Sequence, residues 1–184
     1  DDINRLILEK TREVLGDSGR MLLFQVDPKR QELMLSVSKD ASKVKTKKGD
    51  VFDHWVFRNR KPLIIEDITK DFRFSADDIE KDKEHFRSLM ETPLISENKV
   101  IGILRVDSLK ESYYTYDDLR ILDIIADLGA VAMENAMLYA RTQELAIKDG
   151  LTGMAVRRYF LERFQEELNR AGRKRGSLSV LILD

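Results

Sequence analysis

Apolar positions along this chain follow two periods, and the points where one yields to the other mark out its elements. "DDINRLILEKTREVLG" sets Ile3, Leu6, Ile7, Val14 and Leu15 near one face at helical spacing, with Gly16 as a stop. This predicts an amphipathic helix. "GRMLLFQVDPKRQELMLSV" changes to strand character: an apolar run from Met21 to Val26, the polar turn "DPKRQ", then Leu33, Leu35 and Val37 alternating on the return. "DASKVKTKKGD" reads as a charged loop with a short edge strand at Val44. Its lysines (Lys43, Lys45, Lys47, Lys48) form a solvated surface or a phosphate-attracting patch. "GDVFDHWVFRNRKPLIIED" predicts a short helix, where Asp53, Trp55 and Val56 fit one turn, and then a proline-initiated strand. "DITKDFRFSADDIEKDKEHFRSLME" reads as loop and exposed helix. "TPLISENKVIGILRVDS" is the clearest hairpin: two alternating runs flank "SENK", and Gly102 marks a bulge or a close backbone approach.

From "YTYDDLRILDIIADLGAVAMENAMLYARTQELAIKD" the period becomes that of one long helix, with Thr115 as N-cap and Asp118 three residues on. Ile121, Ile124, Leu128, Val131, Asn135, Leu138, Thr142 and Leu145 alternate steps of three and four, an a/d heptad seam. A second stripe runs Leu122, Ile125, Gly129, Ala132, Ala136 and Tyr139, where small residues let another backbone come close. Either both stripes are core of a monomer, or one covers the sheet and the other meets a partner helix. The heptad continues past Tyr139, beyond what a compact domain needs, so the expectation is a homodimer, with Asn135 and Thr142 setting register.

Composition narrows the chemistry. With 184 residues the chain holds one ordinary domain and at most a small second unit. A formal charge of −1 gives no global field toward nucleic acid or anionic membrane, so neither is an expected partner. The absence of Cys removes disulfides, thiolate metal sites and thioether-linked cofactors. His54 and His85, the two histidines, are too few for a zinc set built without Cys. No run nears the roughly 20 apolar residues of a membrane helix, and no signal peptide opens the chain, so a cytoplasmic location is expected.

Three segments in order carry a resemblance: "GDVFDHWVFRNRKPLIIEDITKDFRF", "PLISENKVIGILRVDS" and "AVAMENAMLY". Over Ile3 to Tyr139 the chain resembles a GAF domain. That resemblance implies an α+β sandwich with a central antiparallel sheet, flanking helices, dimerisation through a long C-terminal signalling helix, and a sensory or regulatory role. It also implies a small-molecule effector of unknown identity, bilins linked through Cys being ruled out by composition. Phe52, Trp55, Phe72, Arg73, Phe74, Arg105 and Asp107 are the candidate lining of an effector pocket.

"DGLTGMAVRRYF", Asp149 to Phe160, resembles the opening motif of GGDEF domains, the catalytic module of diguanylate cyclases. Asp149, Leu151, Thr152, Gly153, Arg157 and Arg158 match it, whereas Val156 stands where Asn is usual. Val156 cannot cap the following helix, which costs about 1 kcal/mol. The helix Tyr159 to Arg170 carries Phe160, Leu161, Phe164 and Leu168 on one side, and "LSVLIL" reads as a strand of a kind buried on both faces, which without its sheet partners is expected to pair with another chain, pack irregularly or be loosely ordered. The resemblance makes Asp184 a magnesium ligand of an incomplete site, and implies Mg2+ and GTP for a parent cyclase. The signature loop and nucleotide-binding residues of that family are absent from these residues, so no catalytic residue is expected here. The expected organisation is a sensory domain over 1–139, a signalling-helix linker over 140–149 and a truncated helix–strand piece over 150–184. The function this implies is regulation of a cyclase that joins two GTP into cyclic di-GMP. The alternatives are a degenerate, non-catalytic output domain or a sensory domain serving only for dimerisation.

Overall fold

Two alternating hairpins and a proline-led strand build one five-stranded antiparallel sheet in the order β2-β1-β5-β4-β3. The strands are β1 (Arg20–Val26), β2 (Leu33–Lys39), β3 (Leu63–Ile65), β4 (Ser88–Ser96) and β5 (Lys99–Ser108), and the helices are α1 (Asp2–Leu15), α2 (Val51–Asn59), α3 (Tyr116–Ile147) and α4 (Arg157–Lys174). The computed structural model describes residues 2–16, 19–27, 29–39, 48–75, 77, 79, 85–147, 149, 152–174 and 176–181. They fall into two compact units that divide between Glu134 and Asn135.

In the first unit the period of two along each strand separates two cores. Met21 and Leu23 of β1, with Leu104 and Val106 of β5, face Ile7 and Leu8 of α1 and Leu122, Ala126, Ala130 and Met133 of α3. Leu22, Phe24, Leu89 and Ile103 face the other way, onto Phe52 and Val56 of α2 and onto Phe74 and Phe86. The sheet is thus covered by helices on both faces, as the α+β reading expects.

The helix caps follow the sequence. Asp50 accepts from the backbone of Phe52 and Asp53, and Asp53 reaches back to the Asp50 N–H, a reciprocal capping box for α2. Thr115 and Asp118 do the same for α3. Gly129 of α3 is buried where a Cβ would lie 3.0 Å from Ile7 Cδ1, so its missing side chain is what lets α1 approach.

Some expectations need correction. "SLME" is strand, not loop or exposed helix: β4 starts at Ser88, and Ser88 to Leu94 are all buried. A strand covered on both faces loses the alternation that betrays it. The buried stripe of α3 starts at Leu122 and Gly129 as read, then drifts to Ala130 and Met133 while Ala132 is exposed. The 3.6-residue period of a straight helix carries a heptad-like stripe off the sheet. Along the first stripe Ile121 is half-buried and Ile124, Leu128 and Val131 stay exposed. Val44 with Lys43, Lys45 and Lys47 lie outside the described residues, and Lys48 is exposed, paired with Glu32.

In the second unit α3 runs on to Ile147, with Asn135, Leu138 and Thr142 exposed and the Leu145 side chain outside the described residues. Asp149 organises the turn that follows: its carboxylate accepts from the Thr152 N–H at 2.9 Å and its carbonyl from the Gly153 N–H at 2.8 Å. Gly153 has φ of 68°, the left-handed region glycine enters freely. Val156 sits just before α4 with no side-chain cap to give: its carbonyl accepts from the Phe160 N–H at 3.1 Å, and its own N–H donates to the Ile147 carbonyl at 2.8 Å. α4 forms as expected, with Arg157 and Arg158 in its first turn and Phe160, Leu161 and Leu168 about half exposed. Among the described residues 177–181 no strand forms, contrary to the reading of "LSVLIL" as a strand. A strand needs a neighbour to satisfy its backbone, and apolar character alone supplies none. Leu151 and Asp184 lie outside the described residues.

Candidate functional site

Under α2, the strand period turns Glu91 of β4 and Arg105 and Asp107 of β5 onto the sheet face that the α2 cap covers. Arg105 is 1% exposed in its side chain, and it is ringed by carboxylates. Its Nη1 lies 2.6 Å from Asp50 Oδ2, 3.2 Å from Asp53 Oδ2 and 3.2 Å from Glu91 Oε1, while its Nε donates to Asp107 Oδ2 at 3.0 Å. Arg20 of β1 grips Asp107 from the other side with a bidentate fork, Nε to Oδ1 at 3.0 Å and Nη2 to Oδ2 at 2.7 Å. The Phe86 ring lies under both guanidinium groups, at 4.4 Å from Arg105 Cζ and 5.5 Å from Arg20 Cζ. Phe52 packs on Phe74 at 4.5 Å and closes the remaining side.

The same carboxylates that cap α2 therefore hold the arginine of β5. Backbone capping orients Asp50 and Asp53, and the register of β4 against β5 sets Glu91 opposite Arg105. Asp50, Asp53 and Glu91 bring oxygens within 4.8 Å of one another, a gathering that a divalent cation could use. Arg105 Nη1 lies within 3.2 Å of an oxygen of each, so the cation these three groups hold in this structure is the guanidinium.

Charge does not balance in this nest. Four carboxylates (Asp50, Asp53, Glu91, Asp107) meet two guanidiniums (Arg20, Arg105). Burial works to raise Asp50, but the Arg105 charge beside it wins and its carboxyl titrates below the ordinary range. Burial and then the Asp50 charge push Asp53 well above that range. Burial and then the Asp53 charge do the same to Glu91. Asp53 Oδ1, both Glu91 carboxyl oxygens and Arg105 Nη2 have no hydrogen-bond partner although all are buried.

Of the residues singled out for an effector pocket, Phe52, Phe74, Arg105 and Asp107 come together here. Arg73 stacks over Trp55 at 5.9 Å and Phe74 at 6.0 Å while bound to Asp71, so it borders the group. Phe72 is 96% exposed and, together with Arg73, Ile64, Tyr116 and Leu119, lines an open groove of about 580 Å³. His54 is exposed and His85 half-buried. Sequence reading missed Glu91 and the role of Asp50. Glu91 was hidden in a segment without alternation, and Asp50 was not singled out by the sequence reading. The available signal was a charged residue, Arg105, inside an otherwise apolar strand run: an interior arginine requires carboxylates.

A model of the GAF domain family matches residues 1–134. Solved structures with the same fold include GAF3 from Slr1393 of Synechocystis sp. PCC6803 in its photoproduct state, 18% identical, covering 77% of this chain and 98% of that one with a TM-score of 0.63. The GAF domain of a two-component sensor histidine kinase from Bacillus halodurans is 20% identical over 76% of this chain and 97% of that one, with a TM-score of 0.61. Free methionine-R-sulfoxide reductase from Neisseria meningitidis, in complex with its substrate, is 16% identical over 74% and 87%, with a TM-score of 0.60. At these identities the likeness is one of fold. A search of curated protein sequences returns no match. Among the described residues no helix is long and apolar enough to cross a membrane.

Proposed function

The chain belongs to the GAF domain family over residues 1–134, and from that premise we propose that it is the cytoplasmic regulatory module of a signal-transduction protein. In this reading the first unit receives an input, and α3 conveys it as a change in the pairing of two such helices across a homodimer. The observation that carries it is the division of α3 into two faces. Leu122, Ala126, Ala130 and Met133 are buried on the sheet, whereas Ile124 (60% exposed), Leu128 (68%) and Val131 (57%) present an apolar stripe to solvent. Apolar side chains at a/d spacing on an exposed helix face are what a partner helix covers. The opening motif at Asp149, whose carboxylate and carbonyl accept from Thr152 and Gly153 ahead of α4, supports a diguanylate cyclase as the output, with Mg2+ and GTP as its cofactor and substrate.

Light scattering tests the dimer. Leu128→Glu with Val131→Glu places charges on exposed positions outside the core, so the variant keeps its fold by circular dichroism and runs as a monomer while the parent is a dimer. A monomeric parent ends the helix-pairing reading. Cyclic di-GMP formed from GTP by the full-length gene product tests the output separately; its absence favours a degenerate output domain. A second reading, a domain that binds no small molecule and serves as a dimerisation platform, is favoured by the way Phe52, Phe74 and Phe86 fill the α2 face.

A further inference from the structure

We propose that the carboxylate nest around Arg105 is a proton-binding site, in which Glu91 and Asp53 are neutral acids at pH 7, and that their ionisation is relayed along β4 to α3. The first part stands on the first unit alone. Its meaning as a signal rests on the regulatory reading above.

Charge and geometry point the same way. The groups around Glu91 can be named from every side: Asp50 and Asp53 from α2, Arg105 and Asp107 from β5, and Arg20 from β1 beyond Asp107. β3 brings only Leu63 opposite Glu91. The segments bearing Phe74 and Phe86 bring Arg73, bound to Asp71, Arg87, bound to Asp67, and half-buried His85. Two carboxylates are therefore in excess of the guanidiniums in a place almost closed to water. Isolated buried charge is so costly that a group neutralises instead. Asp50 and Asp107 have the closest guanidinium contacts, 2.6 Å to Arg105 and 2.7 Å to Arg20, and they match the two guanidiniums, whereas Asp53 uses only Oδ2, for the Asp50 N–H and Arg105. Glu91 and Asp53 are left with oxygens that accept nothing. A proton on each removes the uncompensated charge and closes the balance at zero. A divalent cation would also close it, but it would have to sit where Arg105 Nη1 lies.

The relay follows from the strand period. Glu91 points into the nest, and the next residue, Thr92, points to the opposite face, where its hydroxyl donates to Asp123 Oδ1 of α3 at 2.5 Å. Ionising Glu91 puts an uncompensated charge beside the peptide that holds this contact. Asp123 lies between Leu122, which is buried on the sheet, and Ile124, which belongs to the exposed stripe.

Carboxyl-carbon NMR of the whole labelled chain from pH 4 to 9 is the test, with signals assigned by backbone connectivity and by loss in Glu91→Gln and Asp53→Asn. The expected result is Glu91 Cδ and Asp53 Cγ at the position of a neutral acid at pH 7, with the surface carboxyls ionised. A folded state that keeps a proton the unfolded chain releases loses stability as pH rises. Each such proton weakens the folding constant tenfold per pH unit above the ordinary carboxyl pKa of about 4. Either substitution, which fixes the neutral form, removes one proton's share of that slope. Amide shifts around Asp123 should follow the Glu91 titration in the parent and cease to do so in Thr92→Val. Ionised Glu91 and Asp53 signals at pH 7 overturn the proton site. So does a rise in Tm on adding Mg2+, Ca2+ or Mn2+ that Glu91→Gln abolishes, because a metal would then be the counter-ion. Asp123 amides indifferent to the Glu91 titration overturn the relay. A monomer in light scattering would remove the signalling reading and leave the titration result intact.

Discussion

Removing the Arg105 guanidinium strips four carboxylates of a shared partner, and the resulting loss can be sized. In Arg105→Met the side-chain volume is largely kept, so cavity terms stay small and electrostatics dominates. Asp107 still has Arg20 at 2.7 Å, and Asp50 still accepts from the Phe52 and Asp53 N–H groups. With Glu91 and Asp53 neutral, the buried charge left without a counter-ion is that of Asp50, whose Oδ2 lies 2.6 Å from the lost guanidinium. Breaking a buried ion pair from one side costs about 3–5 kcal/mol. Domains of ordinary stability hold about 5–15 kcal/mol in all, so the variant folds but with much of its margin gone. With a urea m-value of about 2 kcal/mol/M the midpoint falls by about 1.5–2.5 M. Trp55, the chain's one tryptophan, lies on α2 and reports unfolding of the first unit alone by fluorescence. The cost should be greater at pH 8 than at pH 5, since protonation relieves carboxylates that have lost their counter-ion. Arg105→Lys separates charge from geometry: one ammonium cannot serve both Asp50 and Asp107, so an intermediate loss is expected. An Arg105→Met midpoint within 0.5 M of the parent (about 1 kcal/mol at that m-value) at pH 8 would refute the view that the nest depends on this side chain.

Two further outcomes follow from other contacts. Asp67 is held below its usual range, first by the hydrogen bond from Arg87 and then by Thr69 and Lys70. Its contribution is therefore present above the unfolded carboxyl value of about 4 and is lost as pH falls through the folded value. Asp67→Asn should cost about 1–3 kcal/mol at pH 7 and flatten acid unfolding below pH 4, measured by circular dichroism melts; an unchanged acid limb would count against this role. Gly129→Val should destabilise by about 1–3 kcal/mol, because a branched side chain meets Ile7 Cδ1 and Leu94 Cδ2 already at Cβ distance; a parent-like urea midpoint would mean that α1 yields freely.

Period and capping, both local properties, settled much of this protein in advance. The hairpins β1–β2 and β4–β5, the short α2 behind Asp50 and the two faces of α3 are visible because each repeats a spacing that only one element satisfies. The turn at Asp149 is equally local, with partners three to five residues away. What sequence could not show depends on neighbours distant along the chain. "LSVLIL" has the composition of a strand, and its described residues make none, because strand formation needs a partner that composition does not supply. Glu91 is silent in the sequence because β4 is covered on both faces and shows no alternation. Arg105, Asp50 and Glu91 are each ordinary as letters. Only the antiparallel register and the docking of the α2 cap over the sheet place them within 3.2 Å of one nitrogen, and that closeness in a dry interior is what makes their protonation a property of the fold.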